Sequence, residues 1–202
     1  MGRALAKRHL KVIGVDDGSF TRRHRFAPLV AVAVTVPGLV EGILTTRVRV
    51  DGTDATDRLI GLLKDSPHLD GCRAILLDGV TVGGFNPLDL DRLAERLRRP
   101  VVSVTRHAPE FPAIRSALAK YFPRDARRRF AVLTRRRPFR LATAGNPIWI
   151  AVAGARRGEA TALVRRTTLV GHWPEPLRLA RLIARALADA PAGRHRPPKT
   201  NP

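Results

Sequence analysis

Three aspartates occupy positions from which side chains can act on a ligand. Asp16, with Asp17 beside it, closes the apolar run Lys11–Asp16 (KVIGVD), and Asp78 closes a second, Arg73–Asp78 (RAILLD). Asp54 stands just ahead of Leu59, Ile60, Leu62 and Leu63, which recur at helical spacing. If the two runs are neighbouring parallel strands, Asp16 and Asp78 meet at one sheet edge, where ligands of open α/β sheets gather. The helix packed over those strands brings Asp54 close. Clustered carboxylates raise one another's pKa until a cation neutralises them. A hard divalent ion such as Mg²⁺, or Mn²⁺, prefers oxygen donors. Two such ions about 4 Å apart activate water and steady the leaving oxygen of a phosphodiester. Asp16, Asp54 and Asp78 are therefore expected to be catalytic metal ligands, with Asp17 in support. A simpler alternative stands beside this one. Asp before Gly is a common turn signal, and Asp17-Gly18, Asp51-Gly52 and Asp78-Gly79 each read as a turn as well.

The elements that would position these residues can be read from periodicity. Lys11–Asp16 is short, apolar and β-branched, as a buried strand is. Gly18 and the polar stretch Thr21–Arg25 make a loop. Leu29–Val36 and Leu39–Val50 flank a Pro37-Gly38 turn, and the three strands form an antiparallel meander. After the turn Asp51–Asp54, whose polar residues can cap a helix, the helical pattern runs to about Ser66-Pro67. Arg73–Asp78 is the next strand. Pro87–Arg98 is a helix capped by Asn86 with Pro87 in its first position, and Val101–Thr105 is a fifth strand. The order β-β-β-α-β-α-β implies parallel pairing through right-handed crossovers. The fold class is α/β, ribonuclease H-like: a mixed five-stranded sheet flanked by helices, with the first strand central and the strand after the first helix beside it. Further on, Phe111–Tyr121 reads as a helix, and Arg127–Arg129 and Arg135–Arg137 bracket a short apolar segment. Arg140–Thr143 and Ile148–Val152 read as a hairpin, and Glu159–Thr168 and Leu177–Ala190 as helices. This divides the chain into a basic extension at 1–10, a single domain at 11–190, and a disordered basic tail at 191–202 that lacks a core-forming pattern.

The length of 202 residues suits one domain, and 44% hydrophobic residues suffice for its core. Charge is the outlier: 37 Lys and Arg against 17 Asp and Glu, a net +20. Such a field attracts polyanions, nucleic acid first and anionic membrane second. The planar fork of Arg suits phosphate. A genome that favours Arg would give the same composition. The lone cysteine, Cys72, excludes a disulfide or a cysteine metal site within the chain and fits a reducing compartment. No apolar run approaches the roughly 20 residues that span a membrane, and Met1–Lys11 lacks the apolar core of a signal peptide. A cytoplasmic protein with DNA or RNA as partner, and no membrane, is expected. Protein partners are not legible. Aromatic residues are only 5%, so no base-stacking surface is evident.

Longer motifs make the reading more specific. Val12-Ile13-Gly14-Val15-Asp16-Asp17-Gly18-Ser19-Phe20 resembles the opening motif of a mainly archaeal family known as domain of unknown function family ninety-nine. Leu77-Asp78-Gly79-Val80-Thr81-Val82-Gly83-Gly84-Phe85-Asn86 resembles its second motif, and Thr167-Thr168 followed by Pro174–Ala180 its third. Val40-Glu41-Gly42 and Asp51–Thr56 match as well, so the resemblance runs from about residue 11 to 188. That family is similar to endonuclease V, a Mg²⁺-dependent nuclease that acts near deaminated purines. The resemblance implies its fold and, residue by residue, its site. Asp16 takes the place of the first metal-binding aspartate, and Asp78 that of the last catalytic carboxylate. Asp54 falls where a glutamate precedes the first helix, with Asp51 as rival. Arg106 takes the place of a catalytic lysine. Gly171-His172 resembles a late Gly-His pair, so His172 either assists at the site or is structural. Three departures accompany this. The Pro-Tyr-Ile-Pro wedge of endonuclease V has no counterpart between Val50 and Asp51, so inosine recognition does not carry over. An aspartate replaces the glutamate, one methylene shorter. Arginine for lysine is not conservative at a precise site.

Other segments carry weaker signals. Gly83-Gly84-Phe85-Asn86 could offer backbone N–H groups to phosphate, although a turn followed by a helix cap is the favoured reading. Arg106 is expected to contact nucleic acid, and so are the triplets Arg127–Arg129 and Arg135, Arg136 and Arg137, the alternative for both triplets being a solvated face. Trp149 reads as core. The leading function is a metal-dependent nuclease. A non-catalytic nucleic-acid-binding module would bind with salt sensitivity and no need of metal. A small-molecule enzyme or regulator would use the same acidic pocket, its charge incidental.

Overall fold

A computed structural model describes residues 10–189 except Arg22. The expected basic tail, and all but Leu10 of the expected extension, lie outside the described residues. The strands are β1 (Leu10–Asp17), β2 (Phe26–Val36), β3 (Leu39–Arg49), β4 (Ile75–Asp78), β5 (Thr81–Val82), β6 (Asn86–Pro87), β7 (Val101–Thr105), β8 (Phe139–Leu141) and β9 (Ile148–Ala153). The helices are α1 (Ala55–Lys64), α2 (Leu90–Leu97), α3 (Phe111–Tyr121), α4 (Ala126–Thr134), α5 (Arg157–Thr167) and α6 (Glu175–Asp189). A 3₁₀ turn, Pro67–Leu69, follows α1.

The main sheet has seven strands in the order β3-β2-β1-β4-β7-β9-β8, and β5 and β6 form a separate small ribbon. The meander is present: β2 pairs antiparallel with both β3 and β1. β1 then pairs parallel with β4, and β4 with β7. The expectation of five strands is corrected here. The hairpin at 139–153 joins the sheet, with β9 antiparallel to β7 from Val101↔Ala153 to Thr105↔Trp149. The reason is that Val101–Val104 of β7 is buried on both faces. A strand in that setting needs a second neighbour for its backbone groups, and the buried Ile148 and Ile150 of β9 bring one.

Alternation of side chains about the sheet gives two cores. Ile13, Val15, Ile75 and Leu77 face α1 and α2, joined by Leu59, Leu63 and Leu93. Val12, Leu76, Val102 and Val104 face the other way, toward Leu163 and Val164 of α5 and Leu177 of α6. Helix α6 lies directly on β1. A Cβ on Gly14 would come within 2.3 Å of the Pro176 backbone carbonyl, so only glycine permits this approach. Among the described residues no helix is long and apolar enough to cross a membrane.

Two further readings are corrected. The second helix starts at Leu90, not Pro87, and its cap is Asp89, which accepts the Arg92 N–H. Asn86-Pro87 instead pairs with Thr81-Val82. The segment around Arg127–Arg129 is helix α4. Of the two tryptophans, Trp149 is half-buried and Trp173 lies in the core.

Candidate functional site

The parallel register of β1 and β4 runs from Ile13↔Ile75 to Val15↔Leu77. One step further it sets Asp16 against Asp78 at the carboxyl ends of adjacent strands. Each follows the alternation of Val12 or Leu76, so both sit on the α6 side. Asp16 is only 6% exposed. Burial, with the charges of Asp78 and Asp17, pushes its carboxyl up to about 8, although the Asp17 N–H and Arg181 pull the other way. Burial also raises Asp78, against the pull of Arg106, Arg181, Asp16 and Arg185. A buried pair of acids that resist ionising together is the state that a bound cation would relieve.

The surrounding cations come from two elements. Arg106 follows the end of β7, and its guanidinium carbon lies 3.7 Å from the centre of the Trp173 ring. Burial and the nearby Arg181 lower its pKa, while Asp78 and Asp16 raise it. Arg181, on α6, approaches Asp78 with Nη1 to Oδ2 at 4.0 Å. Arg185 lies one turn further along that helix. The Trp173 indole N–H is buried and has no hydrogen-bond partner among the described residues.

On the opposite side of β1, Asp17 holds a second network. Its Oδ2 accepts the Gly83 N–H at 2.7 Å. The Asp51 N–H donates to the Gly83 carbonyl, and the Asp51 side chain accepts the Phe85 N–H at 2.9 Å. Asn86 accepts the Ala55 N–H at 3.0 Å and donates to Asp54 at 2.7 Å. It therefore caps α1 rather than α2. Arg129, 5% exposed, closes the network from α4. It donates to the carbonyls of Asp51, Gly52 and Phe85 and pairs with Asp125.

Past the end of β4, on the face of the sheet that carries Ser103 and Ala151, opens a cavity of about 590 Å³ that Asp78 lines and Asp16 does not. Its wall runs from Asp78 and Gly79 past Phe85 and Phe111 to Ser103 and Ala151. It is mainly apolar, with Arg106 and Arg136 among the charged residues that line it.

The structure thus brings together Asp16, Asp78 and Arg106 but not Asp54. Asp54 accepts from the Arg49 N–H, Asn86 and Arg58, and so belongs to the loop network, as does Asp51. Among the described residues no three acidic, histidine or cysteine side chains converge as a metal-holding group. His172 is half-buried, edge-on to Trp173 at 6.4 Å. Among the described residues no hydrogen bond or ion pair joins it to the acidic pair. Arg135 and Arg136 are paired with Asp89 and Asp91 on α2, and Arg137 stacks on Phe111 at 5.5 Å. The N–H groups of Gly83 and Phe85 are taken by Asp17 and Asp51, so the glycine pair serves a turn. Sequence reasoning passes over Arg181, Arg185, Trp173 and Ser103, and its reading of Arg129 as a surface contact is corrected, because this side chain is buried and spent on loop carbonyls and Asp125. The i, i+4 spacing of Arg181 and Arg185 is the one visible signal, and it does not say which strand the helix covers.

With the geometry described, comparison with known proteins places the chain. A family model for endonuclease dU matches residues 8–188. The UPF0215 protein of Thermococcus gammatolerans is 41% identical over 185 residues, covering 90% of this chain and 93% of its own length. That of Methanothermobacter thermautotrophicus is 38% identical over 179 residues, covering 88% and 87%. A protein of unknown function from Archaeoglobus fulgidus superposes with a TM-score of 0.76 at 34% identity, over 88% of this chain and 98% of that one. Ciona intestinalis endonuclease V, solved with a 24mer DNA containing an inosine followed by a ribo-adenosine, shares the fold: TM-score 0.61 at 17% identity, over 90% and 86%. The archaeal relationship and the endonuclease V-like fold read from the motifs both hold, and the chain belongs to the endonuclease dU family.

Proposed function

We propose that the protein is a metal-dependent endonuclease that cuts a nucleic-acid strand beside a deaminated base, with deoxyuridine in DNA as its first candidate. The observation that carries this reading is the buried Asp16–Asp78 pair at adjacent strand ends, rimmed by Arg106 and Arg181. Mg²⁺ or Mn²⁺ fits the pair: the donors are all carboxylate oxygens, and Mg²⁺ is commonly held by one or two carboxylates together with substrate phosphate. Asp16 and Asp78 would hold it. When bound, such an ion supplies the charge that acidifies water and stabilises a leaving oxygen.

The chain's own groups supply the rest. Arg106 and Arg181 stand where a scissile phosphate must lie to reach the pair, and their charge offsets its own. Trp173 fixes the Arg106 guanidinium by stacking. Asp17 holds the Gly83 turn and with it the wall near Gly79 and Phe85. The cavity beside Asp78 has a volume in the range of small-ligand sites, and a base turned out of the stack can enter it while its phosphate stays at the pair. The deoxyuridine assignment comes from the family's description. The endonuclease V complex lends support through fold alone.

The test is cleavage of labelled DNA and RNA strands, with and without one uracil, in Mg²⁺, Mn²⁺ or chelator. Metal-dependent cutting next to uracil, reduced at least about 100-fold in Asp16→Asn and Asp78→Asn, is expected. Equal cutting by wild type and Asp16→Asn would falsify the catalytic reading. Salt-sensitive binding without cutting would leave a binding module.

A further inference from the structure

The cavity beside Asp78 is mainly apolar, yet one hydroxyl sits deep in its wall. Ser103 lies in the middle of β7, 2% exposed. Its cross-strand neighbours are Leu77 on one side and Ala151 on the other. Among the described residues no hydrogen bond reaches its Oγ. Other polar groups of the lining are engaged at the rim: Thr105 donates to the His107 carbonyl and Arg136 to Asp91. The Oγ is not among the sealed polar atoms that lack a partner, so it opens into the cavity it lines, where a group of a bound ligand can reach it.

We infer that Ser103 is a specificity-determining residue: its hydroxyl pairs with the hydrogen-bonding edge of the base that enters the cavity. The inference rests on the nuclease reading above and adds a named contact to it. A hydroxyl offers one donor and two acceptor positions, so it pairs with a ring carbonyl or a ring N–H. What it selects is a base with such an edge, against a ring of equal shape without one. The apolar walls supply shape and desolvation, and Ser103 supplies the polar reading.

The experiment uses the full chain with Mg²⁺ and strands that differ at a single position: deoxyuridine, its apolar shape mimic difluorobenzene deoxynucleoside, or an abasic site. Single-turnover rates are measured for wild type and Ser103→Ala, with melting curves to confirm that both are folded. The wild type is expected to cut the deoxyuridine strand about 10-fold or more faster than the mimic. Ser103→Ala is expected to lose most of that preference by slowing on deoxyuridine alone, with mimic and abasic rates unchanged. A preference unchanged in Ser103→Ala overturns the inference and leaves the nuclease reading intact. So does equal slowing on every strand, which would mark a structural role. Wild type that cuts none of the strands removes the nuclease reading, and this inference with it.

Discussion

Arg106 and Trp173 form a stacked pair, the guanidinium carbon 3.7 Å from the ring centre, and this pair aims a cation at the buried acids. Trp173 is anchored in the core between sheet and helices, so the cation stands on a rigid support. Arg106→Ala is expected to weaken DNA binding and to reduce the slope of log affinity against log salt by about 1, as removal of a single phosphate-neutralising cation does. Trp173→Leu keeps the charge but frees the side chain, and should weaken binding with the slope nearly unchanged. Salt titrations of binding distinguish the two outcomes. An unaltered slope in Arg106→Ala would mean that this cation meets no phosphate.

The acidic pair makes stability depend on pH in a defined sense. Asp16 titrates at about 8 in the fold, against an ordinary 3.8. Between those values the folded chain keeps a proton that the unfolded chain has released, so stability falls as pH rises through this window. Above about 8 both states are ionised and the slope flattens. In chelator, Asp16→Asn should remove most of the slope and melt at least about 5 °C higher than wild type at pH 8. A smaller slope of the same sign should persist, because Asp17 and Asp78 are also raised. Melting curves from pH 4 to 9 test this. A wild-type curve that rises toward pH 8 would contradict it.

Metal should act on the same window. Adding Mg²⁺ or Mn²⁺ at pH 8 is expected to raise the melting temperature of wild type, because a ligand that binds only the folded state stabilises it. Asp16→Asn and Asp78→Asn should show little response. An equal response in all three proteins would place the ion elsewhere.

Arg129 is the fastening of the loop network. Its removal leaves the carbonyls of Asp51, Gly52 and Phe85 without their donor and Asp125 without its partner. Arg129→Ala should cost about 3–5 kcal/mol, which is roughly 10 °C in melting temperature for a chain of this size. Arg129→Lys should recover little, because one ammonium does not reproduce the fork. Arg128→Ala, at an exposed position of the same helix, is the matched control and should change stability by less than about 0.5 kcal/mol.

Glycine substitutions report on the seat of α6. Gly14→Ala forces a methyl to within 2.3 Å of the Pro176 carbonyl. A reduction in stability of about 1–3 kcal/mol is expected, together with loss of cleavage as Arg181 and Arg185 move with their helix. Gly61→Ala, in α1 with open space around it, should stabilise by about 0.5–1 kcal/mol. Thermal melts and cleavage rates on both variants test the pair.

The order of strands β1, β2, β3, β4 and β7 of the main sheet, the central place of β1 and the meeting of Asp16 with Asp78 are legible in the sequence because short apolar runs ending in Asp and then Gly fix both element and edge. The place of Asp54 is not. Whether the residue ahead of a helix turns toward a metal or toward its own loop depends on Asn86, a partner 32 residues away that donates to it. Asn86 itself reads as the cap of the helix that follows it in sequence, whereas it caps α1, the helix beside it in space. The sixth and seventh strands of the main sheet read only as a local hairpin, since pairing to β7 leaves no mark in the hairpin's own residues. Arg135 and Arg136 carry charge that points, in the sequence, outward to a polyanion. Their pairing with Asp89 and Asp91 depends on how α4 comes to rest near α2, which composition does not encode.

The seat of α6 on Gly14 also has a consequence for the order in which the molecule is made. Asp16 and Asp78 leave the ribosome early, whereas Arg181 and Arg185 follow about a hundred residues later. A chain halted before α6 would carry the acids and lack the two arginines of that helix that pull on Asp78. Synthesis itself therefore delays assembly of the full charge pattern until the helix has docked, and a truncated product ending before residue 175 would be expected to hold anionic substrate poorly.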